Sequence, residues 1–292
     1  MMCLAERWRI VDKPAWRKIH QHPVPRTGGV AIGIGVLTGL LLLPMNPHLR
    51  LGLAGASILL IVTGLYDDWR GLKPHIKLAA QVLAALWAVH WGIRIEWVRT
   101  PLHSLQALGP ASIPITVFWL VLVTNTINLI DGMDGLAAGI TCIVGVTLLI
   151  SGHLLNQTPV LLFVLCLLGS LLAFLRYNFN PARVFMGDSG SMVCGFFLAA
   201  ASVLGVFKTT TTFTLAVPVL ALGLPLIDTV LAVLRRLRQG RSIFSADNQH
   251  LHHRLLQKGY SQRQVVLAAY TVTLGLCLLA LTTLTFVKIS HF

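Results

Sequence analysis

Four short polar islands interrupt an otherwise strongly apolar sequence, and each carries groups suited to magnesium or to phosphate. They are Asp67-Asp68 and residues 125–135, 185–190 and 250–254. Carboxylates are energetically costly next to a bilayer, so those that occur there are candidates for function. Mg²⁺ prefers oxygen ligands, and arginine is suited to phosphate. We therefore expect the four islands to form one composite active site.

The first island, Asp67-Asp68, ends the second apolar run of the sequence. Two adjacent carboxylates at a helix C-terminus face the negative end of the helix dipole and each other, which is unfavourable without a compensating cation. Mg²⁺ usually takes one or two carboxylates, several waters and substrate phosphate oxygens. The alternative is a solvated interfacial cap that Arg70 and Lys73 neutralise.

In the second island, a polar side chain recurs at every third position: Asn125, Asn128, Asp131 and Asp134. On a helix this spacing keeps neighbouring side chains close together on one face. Glycines on both sides of Asp134 loosen the backbone there. A stripe of amides and carboxylates at the end of a span suits metal and nucleotide contacts. The alternative is a polar seam between helices, which membrane bundles also use.

The third island, Phe185-Met-Gly-Asp188-Ser-Gly, leads into the seventh apolar run. Its glycines permit close backbone approach, and the opening turn of a helix offers free N–H groups to an anion. The alternative is that Asp188 is an ordinary helix cap.

The fourth island lies in residues 235–263, the longest loop, which holds seven lysines and arginines together with His250, His252 and His253. Arg254 follows them and could contact phosphate in a bidentate manner. A zinc site is one alternative for the histidines, but the sequence has no cysteine or second cluster at ligand spacing. A polybasic patch on anionic lipid is another, although it does not explain three histidines in four positions.

The elements that position these islands are membrane spans. The chain of 292 residues is 55% hydrophobic and 11% charged, with a mean hydropathy of +0.75, whereas soluble domains carry about 25% charged residues. We predict one all-α polytopic membrane domain, 1–292, in which nine apolar runs span the bilayer: about 28–45, 50–66, 75–93, 112–130, 134–152, 158–175, 189–207, 212–234 and 264–287.

Two of these regions have further features. Pro218 and Pro225 should kink or break the eighth span. Asp228 then either lies behind the residues that contact substrate, or caps the broken helix. Residues 93–99 alternate with period two and predict one arm of a small external β-hairpin.

The distribution of basic residues predicts which loops of the chain face the cytosol. The net charge of +13 could indicate nucleic acid, but in a membrane protein it more often reflects lysines and arginines kept in cytosolic loops. With residues 1–27 as a basic cytosolic leader without a signal peptide, 18 lysines and arginines fall on the cytosolic side and 5 outside. The same arrangement puts all four islands at the cytosolic face, and we expect no nucleic-acid partner.

With these motifs in order, the chain resembles the polyprenyl-phosphate N-acetylhexosamine-1-phosphate transferases, a superfamily that includes the phospho-MurNAc-pentapeptide translocase. The likeness runs from about Pro14 to Tyr270. Besides the islands, it rests on His22-Pro-Val-Pro-Arg26-Thr-Gly-Gly, Asn178xxxProAlaxxPheMetGlyAsp188SerGlySer and Ala246-Asp-Asn-Gln-His250-Leu-His-His-Arg254-Leu.

This resemblance implies transfer of a sugar-1-phosphate from a UDP-N-acetylhexosamine to undecaprenyl phosphate in the bacterial inner membrane, with UMP as the second product. It implies Mg²⁺ as cofactor, with Mn²⁺ as the alternative ion, and is compatible with a homodimer. The rival readings are a transporter, which would place acids near the midplane of several spans, and an inactive homologue.

The resemblance also implies residue roles. Asp188 is the leading metal ligand, with Asn128 and the Asp67-Asp68 pair beside it, and either member of that pair would deprotonate or orient the lipid phosphate. The remaining catalytic candidates are Asp131, His250, His252 and His253. The substrate-binding candidates are Arg26, Lys77, Asn125 and Arg254, with Asp134, Asn178 and Phe185 at the uridine. One-step attack and an aspartyl-linked intermediate both stay open.

The subgroup follows from two departures from the pentapeptide translocase. Trp69-Arg70-Gly71 ends in glycine where the translocase has lysine, and His-Leu-His-His replaces its three consecutive histidines. The sequence is more similar to the GlcNAc-1-phosphate type, which starts cell-envelope polysaccharides. The family normally has a further span before the Pro-Val-Pro-Arg segment, where this chain has its basic leader.

Overall fold

The computed structural model describes residues 11–12, 23–99, 105–205, 216–240 and 251–290, and most of them are helical. The helices are α1 (Gly28–Leu42), α2 (Pro47–Arg70), α3 (Pro74–His90), α4 (Ser112–Ile130), α5 (Leu136–Leu154), α6 (Thr158–Asn178), α7 (Gly187–Gly205), α8 (Ala216–Ala221), α9 (Gly223–Arg238), α10 (Leu251–Gln257) and α11 (Gln262–Ser290). Two antiparallel strand pairs accompany them: β1 (Val11–Asp12) with β2 (Val24–Pro25), and β3 (Trp97–Arg99) with β4 (Leu105–Ala107).

Six helices of the described chain are long and apolar enough to cross a membrane: α2, α4 with the short 3-10 turn before it, α5, α6, α7 and α11. Helix α1 is a shorter apolar helix. The prediction of an all-α multi-pass membrane protein is confirmed. Within the described residues, each of the nine apolar runs overlaps a helix, whereas the count of nine spans stays a prediction.

The eighth apolar run is broken, as its prolines predicted. Helix α8 ends at Ala221 and α9 begins at Gly223, with Leu222 in a turn between them. Pro218 lies before the break and Pro225 after it, and a proline inside a helix removes a backbone hydrogen bond and crowds the preceding turn.

The predicted hairpin is also present, but it is shorter than the alternating pattern suggested. Trp97 pairs with Ala107 and Arg99 with Leu105. Ile93 and Ile95 belong to the hydrophobic core instead of the strand, because their side chains are buried against the helices. Burial of these two residues therefore produced the period-two pattern before the strand begins.

Helix α7 is the centre of the bundle and packs against α1, α2, α4, α5 and α6. Every residue from Ser189 to Gly205 is buried. Close approach depends on glycines: a side chain at Gly64 of α2 would meet the backbone of Ser189, and one at Gly195 would meet Thr124 of α4. Small residues at such crossings are typical of membrane helix packing. The N-terminus of α7, which carries Asp188, is therefore held between neighbouring helices.

Replacing Gly64 by valine should destabilise the protein. The new side chain would push α2 away from the backbone of Ser189, and overpacking of this kind costs about 1–3 kcal/mol. Thermal unfolding in detergent measures the effect. Gly169→Val in α6 is the matched control, because a side chain there meets no atom within 4 Å. Equal unfolding temperatures for the two variants would contradict the packing described here.

Candidate active site

Asp188 lies in the first turn of α7, where residues from three separate helices meet. Lys77 of α3 donates to the Asp188 carboxylate and, over 2.9 Å, to Oδ2 of Asp67 at the end of α2. Asn128 of α4 donates through Nδ2 to Asp188 Oδ1 at 3.1 Å and to Ser191 Oγ at 2.9 Å. We call Asp67, Lys77, Asn128 and Asp188 the carboxylate cluster. It unites the first three islands, as the sequence predicted.

The turn between α2 and α3 positions Asp67 and Lys77. Gly71 has a positive φ of 74° and donates its N–H to the Asp67 carbonyl oxygen at 2.8 Å, which ends α2. The Leu72 N–H donates to the Asp67 carboxylate. Helix α3 begins at Pro74, and Lys77 in its first turn reaches back to α2. The glycine permits the sharp reversal, since a residue with a side chain would be strained at that φ.

Asp68 points away from the carboxylate oxygens of Asp67 and faces the backbone of α7. Its Oδ1 accepts the Asp188 N–H at 3.1 Å, and its Oδ2 accepts the Ser189 N–H at 3.4 Å and the Ser189 hydroxyl at 3.3 Å. The Asp68 side chain is completely buried. A side chain at Gly187, whose φ is +69°, would meet this carboxylate.

Arg26 connects the N-terminal segment to the same place. Its guanidinium lies 3.1 Å from Asp12 and 3.9 Å from Asp68 Oδ1. The Phe185 N–H donates to the Pro25 carbonyl oxygen at 2.8 Å. Strand β2 is therefore attached to the residues that open α7, and Arg26, a predicted substrate contact, lies beside Asp68.

Asp134 and Asn178 lie together, but their side chains contact protein backbone. Asp134 Oδ2 accepts the backbone N–H of Ala182 at 3.0 Å and the side-chain amide of Asn180 at 3.1 Å. Asn178, which is buried, accepts the Gly135 N–H at 3.0 Å and donates to the Val184 carbonyl oxygen at 2.9 Å. Both residues thus support the loop of residues 178–185, and their role at the uridine stays a prediction.

The start of α11 forms another side of this loop, which the sequence analysis missed. Gln262 Oε1 accepts the Asn180 amide at 2.7 Å, and Arg263 donates to Asn180 Oδ1 at 3.2 Å and to its carbonyl oxygen at 3.1 Å. The Tyr270 hydroxyl donates to the Gly135 carbonyl oxygen at 2.5 Å. The one available signal was the position of Gln262 and Arg263 at the end of the loop with the histidines.

Asp131 follows the last residue of α4 and is partly exposed. Although part of the residue is exposed, loss of water around its carboxyl group raises the pKa of that group to about 8, and the negative charges of Asp188 and Asp68 add to this effect. Its carboxyl therefore belongs to the same electrostatic environment as the carboxylate cluster. Asn125, earlier on α4, and Phe185, before α7, are both partly buried.

The fourth island is only partly described. His250 lies outside the described residues, and His252 and His253 are placed only as part of the backbone of α10. Arg254 is exposed on the same helix. The roles of these residues stay predictions.

Comparison with known proteins identifies the family. Residues 50–206 match glycosyl transferase family 4. The chain belongs to this family. It is 38% identical over 264 residues to the probable undecaprenyl-phosphate N-acetylglucosaminyl 1-phosphate transferase of Bacillus subtilis (strain 168), covering 90% of this chain and 74% of that protein.

Two further relatives have similar names. The decaprenyl-phosphate N-acetylglucosaminephosphotransferase of Mycobacterium leprae (strain TN) is 40% identical over 301 residues, covering 91% of this chain and 75% of its own length. The undecaprenyl-phosphate alpha-N-acetylglucosaminyl 1-phosphate transferase of Escherichia coli (strain K12) is 31% identical over 300 residues, covering 95% and 76%. The resemblance seen in the motifs is thereby confirmed.

Asp67 and Asp188 offer two carboxylates of the kind that a magnesium ion uses, and the cofactor itself stays a prediction. Within the described parts of the chain, no group of three or more His, Cys, Asp or Glu side chains is arranged to hold a metal ion. Asp67 and Asp188, however, both contact one ammonium group, so a single cation can reach both. Mg²⁺ commonly uses one or two carboxylates and takes its other ligands from water and substrate phosphates.

Replacing Asn178 by alanine should destabilise the 178–185 loop of this family 4 protein. The Gly135 N–H and the Val184 carbonyl oxygen would lose their partners, and an unsatisfied buried polar group costs about 1–3 kcal/mol. Thermal unfolding measures the loss. Gln239→Ala, which removes an exposed amide at the end of α9, is the control, and an equal effect of the two changes would contradict this role.

Proposed function

We propose that this family 4 protein transfers N-acetylglucosamine-1-phosphate from UDP-GlcNAc to undecaprenyl phosphate. An oxygen of the lipid phosphate attacks the β-phosphorus of the donor, the bond between that phosphorus and the bridging oxygen breaks, and UMP leaves. The names of the relatives support the choice of donor and acceptor. The observation that carries the proposal is the contact of Lys77 with both Asp67 and Asp188.

This arrangement suits the meeting of two anionic substrates. Their mutual repulsion must be offset by cations placed where negative charge gathers during the transfer. In our proposal Asp188, Asp67 and the amide oxygen of Asn128 would hold Mg²⁺, which would supply positive charge to the diphosphate. Lys77 exchanges its carboxylate contacts for a phosphate oxygen of the substrates, and Asp67 orients the attacking lipid phosphate.

An apolar cavity lies beside the turn that carries Asp131. It has a volume of about 120 Å³ and lies between α4, α5, α9, α10 and α11. Its lining includes Ile130 and Leu136, which flank the Asp131 turn, and the buried Asp228. We propose that the first part of the polyprenyl tail lies here, since its phosphate would then be close to the carboxylate cluster while the tail stays in apolar surroundings.

The excess of lysines and arginines in alternate loops supports an active site that faces the cytosol of a bacterial inner membrane. In that orientation the water-soluble donor arrives from the cytosol and the lipid product stays in the bilayer. The product would then serve as the lipid-linked starting unit of a cell-envelope polysaccharide.

A donor panel tests the proposal. Purified protein in lipid nanodiscs is supplied with Mg²⁺, undecaprenyl phosphate and, separately, UDP-GlcNAc, UDP-GalNAc or UDP-MurNAc-pentapeptide, and UMP is measured. We expect UMP from UDP-GlcNAc, and only when the lipid phosphate is present. Faster release from another donor would overturn the choice of sugar. Absence of UMP with every UDP-N-acetylhexosamine, from protein that is folded, would overturn the reaction.

A further inference from the structure

The two adjacent aspartates at the end of α2 contact different groups. Successive side chains on a helix differ by about 100° in direction, so Asp67 and Asp68 cannot both face the same group. Asp67 contacts Lys77 in the carboxylate cluster, whereas Asp68 contacts the first turn of α7. Their surroundings differ as well, because 13% of the Asp67 side chain is exposed and none of the Asp68 side chain is.

The Asp68 carboxylate satisfies groups that a helix leaves unpaired. The first N–H groups of a helix have no partner within it and carry the positive end of the dipole. Asp68 accepts two of them, from Asp188 at 3.1 Å and Ser189 at 3.4 Å, and also the Ser189 hydroxyl at 3.3 Å. Its contacts are those of an N-terminal cap, supplied from a neighbouring helix.

The packing of α2 against α7 gives independent support. Gly64 lies four residues before Asp68 and therefore on the same face of α2. A side chain at Gly64 would meet the backbone of Asp188 and Ser189. The face of α2 that carries Asp68 is thus closely packed against the start of α7.

We propose that Asp68 is a positioning residue, which caps α7 from α2 and thereby sets the place of Asp188, while Asp67 alone of the pair meets the substrates. The catalytic part of this inference rests on the proposed function. Its capping part does not depend on the transfer reaction, because the place of Asp188 can also be read from Mn²⁺ binding.

The test compares Asp68→Asn, which keeps one of the two carboxylate oxygens that accept the N–H groups, with Asp68→Ala, which keeps neither. Asparagine and aspartate are similarly good caps. For Asp68→Asn we therefore expect kcat within about tenfold of the unchanged protein, and an unchanged pH profile of kcat. For Asp68→Ala we expect kcat to fall by about 100-fold, the typical cost of misplacing a catalytic group by about an ångström.

Metal binding gives the second measurement. Mn²⁺ binding, followed by electron paramagnetic resonance, should weaken about tenfold in Asp68→Ala and change less in Asp68→Asn. The control is Asn46→Ala, which removes the cap at the opposite end of α2, where Asn46 accepts the His48 N–H at 2.8 Å. This control should lower the unfolding temperature without changing Mn²⁺ binding.

Equal losses of kcat in Asp68→Asn and Asp68→Ala, or loss of the acidic limb of the pH profile in Asp68→Asn, would overturn the inference in favour of direct action on substrate. Unchanged Mn²⁺ binding in folded Asp68→Ala would also overturn it. If Asp68→Ala does not fold, Asp68→Ser, which offers a shorter cap, replaces it in the comparison. Absence of UMP release from the unchanged protein would defeat the proposed function, while Mn²⁺ binding would still test the cap.

Discussion

Replacing Asp188 by asparagine is expected to lower UMP release from UDP-GlcNAc by about 1000-fold, while the protein stays folded. The change removes the negative charge that we propose as the main ligand of Mg²⁺, and loss of one group that stabilises transition-state charge typically costs about 100- to 1000-fold. The fold should survive because asparagine has nearly the same shape, and because Asp68 contacts the backbone N–H of this residue and not its side chain. UMP release at saturating Mg²⁺, together with thermal unfolding, measures both expectations.

The matched control for this change is Glu96→Gln, which also turns a carboxylate into an amide but at an exposed position beside the hairpin. It should leave UMP release within about twofold, as surface substitutions usually change little. Unimpaired release by Asp188→Asn would remove Asp188 from the reaction and contradict the proposed metal site.

Replacing Lys77 by methionine is expected to have two separate effects. First, kcat should fall by about 100-fold, because the ammonium group that we propose to contact a substrate phosphate is absent. Second, the metal-free protein should unfold at a lower temperature, since the Asp67 and Asp188 carboxylates lose the cation that they share. Mg²⁺ should restore more of this stability in the variant than in the unchanged protein. Thermal unfolding with chelator and with Mg²⁺ measures the difference.

Lys73→Met is the control for Lys77, because Lys73 is an exposed lysine only four residues earlier. Lys77→Arg supplies a second comparison that keeps the positive charge and should retain stability in chelator. If Lys77→Met unfolds in chelator at the same temperature as the unchanged protein, the ammonium does not balance the two carboxylates.

Much of the fold follows from the sequence because few backbone structures are stable within a lipid bilayer. Apolar runs of sufficient length predict helices, and the observed helices lie where the runs do. The break at Leu222 follows from the prolines around it, since they weaken the helix whatever surrounds it. The start of the hairpin was misplaced because burial of Ile93 and Ile95 against helices gives the same alternation as a strand.

The meeting of the first three islands agrees with the prediction, whereas the place of the fourth island stays a prediction. The atoms that make the contacts were predicted less well. The resemblance to the transferase family placed Asp67, Asn128 and Asp188 side by side, and in the structure they do meet, through Lys77 and through a direct hydrogen bond. The direction of Asp68 could not be predicted, because it depends on the rotation of α2 about its axis, which the contact of Gly64 with α7 determines. The engagement of Asn178 with backbone groups likewise depends on the path of the 178–185 loop, for which the sequence carries no periodic signal.

The central claim is that phosphate moves together with the sugar. UDP-GlcNAc with a radioactive phosphorus in its β-phosphate tests this most directly, when it is incubated with the protein, Mg²⁺ and undecaprenyl phosphate and the lipid and nucleotide fractions are then separated. We predict that the label enters the lipid fraction and that the nucleotide released is unlabelled UMP. Label that leaves as UDP, with the sugar alone in the lipid, would contradict the account.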